Sequence, residues 1–126
     1  PDANGTCTRR NRSNTPLQAL TLANDASFME FAKAFSDRLL QEASPNDASR
    51  IRHAYQSALA RDPNDFELNR MTGFVGSQRD FFTQNETESK LAASPNRPTS
   101  VDAATSATWT AFARVLLNVD EFITRE

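Results

Sequence analysis

The chain has 126 residues, 38% of them hydrophobic, and a formal net charge of −2. That length fits one domain that buries roughly two-thirds of its unfolded surface, so a core forms without disulfide or metal staples. The acidic balance excludes a general electrostatic drive toward nucleic acid or anionic membrane, and the single cysteine, Cys7, excludes an internal disulfide.

Nine Phe stand against one Trp and one Tyr, with only three Gly. Phe supplies apolar area without a polar atom to satisfy, and few glycines favour helix over sheet. The expected class is all-α: a compact bundle of about five helices, with an extended N-terminal arm and a long polar loop before the last helix. No apolar run reaches the length of a membrane span. The chain opens at Pro1 with neither a methionine nor a leader, and reads as a piece of something larger.

Residues 1–14 are polar, hold Gly5 and lack periodicity, so they read as the arm. Arg9, Arg10 and Arg12 are its charge cluster. Arginine forks fit carboxylate, sulfate or phosphate, which makes these three the candidate anion or partner contacts. The competing reading is an arm held to acidic groups on the helices by salt bridges.

Residues 15–42 read as a bent helix pair. Asn14 or Thr15 caps the first member and Pro16 suits its first position. Leu17, Leu20 and Ala23 share a face until Asn24 and Asp25 interrupt it, where Asp25 is placed to accept from free N–H groups of the second member. Phe28, Phe31, Ala32, Phe35 and Leu39 then form an amphipathic stripe. Ser44 before Pro45 marks a new start. The next helix, over 48–61, carries Ile51, Ala54, Tyr55, Ala58 and Leu59, and Asp62-Pro63-Asn64 ends it and caps its successor.

Over 65–83 the stripe is Leu68, Met71, Val75, Gln78 and Phe82, broadened by Phe66, Phe74 and Phe81. Gly73 and Gly76 lower helix propensity there, which a close contact or a bend explains. Residues 84–102 are expected to be the loop and the most mobile part, with at most a short turn over Glu88–Ala93. The last helix, over 103–124, has Trp109, Phe112, Ala113 and Leu116 on one side. Its start lacks a decisive cap. Asn118 and Asp120 interrupt it much as Asn24 and Asp25 interrupt the first pair, and all four are assigned structural polar roles at helix bends.

Chemical motifs are sparse. Cys-x-x-Cys-His is absent, and His53 has no partner at haem or zinc ligand spacing. Neither a nucleophile elbow nor a Gly-rich phosphate loop occurs. Asp62 with Asp65, and Asp120 with Glu121, are acidic pairs placed near helix ends, where caps and solvated charges are commonest. The expectation is no catalytic residue, no metal and no cofactor in this chain, and no nucleic-acid partner.

Two end motifs, CTRRNRSNTPLQALTLANDASF and TWTAFARVLLNVDEFITRE, resemble one planctomycete-type family of large proteins, domain of unknown function DUF1553. Cys7, Arg9, Arg10, Thr15 to Leu20, Leu22, Asn24, Asp25 and Trp109 through Arg125 carry the resemblance. The central LARDPNDFEL resembles the family's helix–Pro–helix joint. The resemblance extends over nearly the whole chain and is poorest between Asn85 and Asp102. It implies the C-terminal end of a longer protein exported to the periplasm or cell surface. Its expected partners are upstream domains of the same chain and a cytochrome-c-like domain. The family carries no assigned activity. The expected function is therefore a non-catalytic accessory or interaction domain. The alternatives are part of an enzyme or binding protein acting on extracellular polysaccharide, with Arg9, Arg10 or Arg12 holding an acidic sugar, and a docking surface for the cytochrome-like domain.

Overall fold

The computed structural model describes residues 26–119, and these form five α-helices. They are α1 (Ala26–Glu42), α2 (Asp47–Leu59), α3 (Asp65–Gln84), α4 (Glu86–Ala92) and α5 (Ala103–Leu117). No strand occurs among the described residues. The arm, the first member of the bent pair with Asn24 and Asp25, and the residues from Asp120 onward lie outside them.

The bundle is organised around α5. Nine of its residues are buried, including Trp109, Phe112, Leu116 and Leu117. A helix buried on several sides needs neighbours on several sides. Helices α1, α3 and α4 each pack along it, while α2 packs chiefly on α3. Trp109 and Phe112 meet edge to face at 5.2 Å and 70°, the arrangement that ring quadrupoles favour.

Local chemistry explains each boundary. Asn46, not Ser44, caps α2, accepting from the Ser49 N–H at 3.0 Å. The polar side chain after Pro45 reaches the third N–H of the helix, as a cap must. Ile51, Ala54, Tyr55, Ala58 and Leu59 are all buried as their spacing predicts. The helix ends at Ala60 with φ 58°, a left-handed position that glycine occupies more comfortably.

The LARDPNDFEL stretch is a locked joint. Asn64 and Glu67 form a capping box, each side chain satisfying the other's backbone N–H. Arg61 donates to both Glu67 carboxylate oxygens, at 2.8 and 2.9 Å, and stacks over Tyr55. These bonds hold the Glu67 carboxyl down to about 2, chiefly through Arg61.

Three expectations are corrected. Phe31 belongs to the α1 stripe by spacing, yet it is half exposed. The buried arc is rotated toward Ser36 and Leu40, because α5 sits there and Ser36 bonds Thr110 at 3.0 Å. The loop expected over 84–102 begins with α4, and its remainder is fastened rather than loose. Ser94 is buried, its N–H donates to Ser106 Oγ at 2.9 Å, and Arg97 binds the carbonyls of Ser94 and Val101. Last, α5 does have a cap: Asp102 accepts from the Thr105 N–H at 2.9 Å. Bonds from Thr105, side chain first and backbone second, hold the Asp102 carboxyl below its ordinary range.

Candidate functional site

The residues read from the sequence as anion contacts, Arg9, Arg10 and Arg12, lie outside the described residues, as do Cys7, Asn24, Asp25 and Asp120. Asn118 follows α5 directly, and its backbone N–H donates to the carbonyls of Val115 and Leu116. Its side-chain oxygen is buried with no hydrogen-bond partner among the described residues. His53 lies near Glu42, Nε2 to Oε1 at 3.3 Å, on a partly exposed surface. That hydrogen bond leads the influences that lower the Glu42 carboxyl pKa. Asp62 accepts from Gln56 at 2.7 Å and Asp65 opens α3, so this acidic pair serves the joint. Among the described residues no group of three or more His, Cys, Asp or Glu gathers to hold a metal.

One buried polar seam ties α1 to the segment before α5. Ser94 Oγ donates to Asp37 Oδ2 at 2.6 Å and accepts from the Asn96 N–H at 3.1 Å. Asp37 is 8% exposed, and its other oxygen is buried without a partner among the described residues. A hydroxyl beside a carboxylate invites a nucleophile reading. Ser94 is only 1% exposed, however, so a substrate has no route to it in this arrangement. The seam is a fastening.

A second cluster lies where α2, α3 and α5 meet. Arg79 of α3 grips Asp47 of α2 with both terminal nitrogens, at 3.0 and 2.9 Å. The hydrogen bond to Asp47 is the main influence raising the Arg79 pKa. Arg50, one turn along α2, places its guanidinium 5.4 Å from the centre of the Trp109 ring. Trp109 is fully buried, so Arg50 roofs it. Burial is the largest influence on Arg50 and lowers its pKa; Asp47 opposes this and Arg79 adds to it. Sequence reasoning missed the cluster, because Arg50 and Trp109 are remote in the chain and no local pattern links them.

The third feature is the outer side of α3. Met71, Val75 and Phe82 face the core. Phe66 and Phe81 stand at i and i+15, displaced around the same helix from that line, while Phe74 is partly buried and packs against the core. Phe66 is 70% exposed and Phe81 47% exposed. Between them Gly73 has open space where a side chain would begin. Spacing alone had merged both lines into one broad stripe.

The described residues thus form an all-α bundle. A sequence model described as PSD1, Protein of unknown function (DUF1553), matches residues 1–75. The chain belongs to that family. The match takes in the C-x-R-R and T-P-L-Q-A-L elements and the Arg61–Glu67 joint, and ends within α3. No curated protein and no solved structure matches the chain.

Proposed function

We propose that this chain is a non-catalytic accessory domain that docks, through the outer side of α3, onto other domains of the protein that carries it. The observation behind this reading is the doubled apolar character of α3. One apolar stripe is enough to fix a helix on its own bundle. Phe66 stands largely clear of that packing, and Phe81, edge-on to Phe82 at 5.1 Å, still keeps about half of its ring in solvent, so both present aromatic surface outward. Aromatic side chains of this kind are the usual anchors of protein interfaces. The open surface at Gly73 lets a partner's backbone come close between them.

The setting follows from the family resemblance: an exported protein, at the periplasm or cell surface, that also carries or meets a cytochrome-c-like domain. Calorimetric titration of this chain with the separately expressed upstream part of its parent tests the reading. Saturable binding that Phe66→Ser and Phe81→Ser each weaken at least about tenfold is the expected result, the ordinary scale of an aromatic anchor. No heat of binding from folded components, or binding indifferent to both substitutions, would overturn it. Circular dichroism of the variants guards against misreading an unfolded chain; Phe66, 70% exposed, is expected to change stability by only about 0.5 kcal/mol.

A further inference from the structure

The solvent side of α3 carries a seam of its own. Phe66, Arg70, Gly73, Ser77, Asp80 and Gln84 are all exposed, and they follow one another in steps of four and three residues. That spacing places residues on the contact line between two paired helices. Met71 and Val75 lie on the opposite side and join the chain's own core. So α3 has one seam turned inward and one turned to solvent, the outer one running about 27 Å at 1.5 Å per residue. This outer seam is complementary to itself. About its midpoint at position 75, Arg70 has Asp80 as its counterpart and Gly73 has Ser77. When the same seam is laid on it antiparallel, Arg70 comes level with the partner's Asp80, and two-fold symmetry repeats that meeting of opposite charges. Gly73 comes level with the partner's Ser77, and small residues at the centre let the two backbones approach closely. Phe66 falls within one turn of the partner's Phe81, so exposed rings leave water together. Arg79, beside Asp80 in the chain, is already held by Asp47.

We propose that, when no other domain covers it, the outer face of α3 pairs with the same face of a second copy of this chain, antiparallel about a two-fold axis. The charge pattern selects this occupant. An unrelated helix would have to offer an acid opposite Arg70 and a base opposite Asp80 at matching separation, and α3 supplies both by itself. The inference rests on the reading of this face as a docking surface and adds how that surface is regulated: the pair must part before another domain binds. One helix face is smaller than the roughly 800 Å2 per partner of a standard interface, so the association is weak, with Kd about 10–100 μM.

Sedimentation equilibrium of the intact 126-residue chain tests this. The average mass should rise with concentration from that of one chain toward that of two, and less steeply in high salt, which screens the two ion pairs. Arg70→Asp and Asp80→Arg each set like charges against one another twice, and each should weaken self-association at least about tenfold. An equimolar mixture of these two variants should associate again, because every pair in the mixed dimer is then opposite in charge. That recovery is peculiar to an antiparallel pairing of identical faces. A chain that stays monomeric, association that both substitutions leave unchanged, or a mixture no better associated than its components would each overturn the proposal. Both positions are exposed, and circular dichroism checks the fold of each variant. If either variant does not fold, the wild-type chain decides: self-association that high salt leaves unchanged would overturn the ion-paired seam. Titration with the upstream part of the parent separates the two readings. A monomeric chain that still binds it overturns self-pairing alone, and a dimerising chain that never binds it overturns the docking reading alone.

Discussion

Replacing Gly73 with alanine should make this protein more stable. Glycine in a helix interior costs about 1 kcal/mol relative to alanine, because the unfolded chain has more freedom to lose. Natural glycines in helices often repay that cost by admitting a neighbour, but here nothing beyond the adjoining residues and backbone of the helix itself lies within 4 Å of the position a Cβ would take at Gly73 or at Gly76. Neither glycine has a positive φ, so alanine fits both backbones without strain. The gain should therefore appear in full, about 1 kcal/mol for each and about 2 kcal/mol for the pair. For a chain of 126 residues the unfolding entropy near the midpoint is about 0.26 kcal/mol/K, so each substitution raises Tm by about 4 °C. Thermal and urea unfolding followed by far-ultraviolet circular dichroism read this directly. A lowered midpoint for Gly73→Ala would show that the space is closed, and would remove the open surface on which the docking proposal draws. The opposite pairing, a more stable chain that binds its upstream partner less well, is what that proposal expects.

Other outcomes follow from single contacts. Ser94→Ala removes the only hydrogen bond that the Asp37 side chain receives among the described residues and leaves its carboxyl group buried without one, which should cost about 2 kcal/mol in urea unfolding. Asp102→Ala deletes the cap of α5 and should cost about 1 kcal/mol, with amide exchange faster in the first turn of that helix. The Arg61–Glu67 pair makes stability depend on acid. The folded carboxyl sits at about 2 against 4.5, so its contribution is complete above 4.5 and is lost as pH falls toward 2. Arg61 is 38% exposed, so solvent screens the pair and its worth is about 1 kcal/mol or less. Glu67→Gln should flatten the acid limb of a stability–pH profile in that window; an unchanged limb would show that the bidentate contact does not hold in solution.

Helix positions were legible because helix signals are local. The stripe from Ile51 to Leu59 and the cap at Asn64 depend on residues within four positions of one another, and both stand as the spacing reads. The Arg61–Glu67 joint was visible as a stop and a start, although the ion pair that locks it was not. Asp102 was overlooked as a cap because it closes a Pro-rich stretch that resembles loop throughout. The same composition concealed α4, whose seven residues gain their support from packing along α5.

By itself the sequence determined the class of fold, the places of α2 and α3 and the family, since periodicity, capping chemistry and motif are all written in neighbouring residues; the last helix, expected over 103–124, ends at Leu117. Which side of each helix meets another was decided only in three dimensions. Phe82 and Phe81 are adjacent in the chain and meet edge to face at 5.1 Å, yet one is buried and the other is about half exposed, because neighbouring helices cover one and not the other. Asp37 and Ser94 are 57 positions apart and bond only because the segment before α5 returns to α1. Arg50 meets Trp109 only because another helix brings that ring beneath its guanidinium, 5.4 Å away. Burial and pairing are properties of the packed bundle, and hydrophobic side chains carry no local mark of which neighbour they will meet.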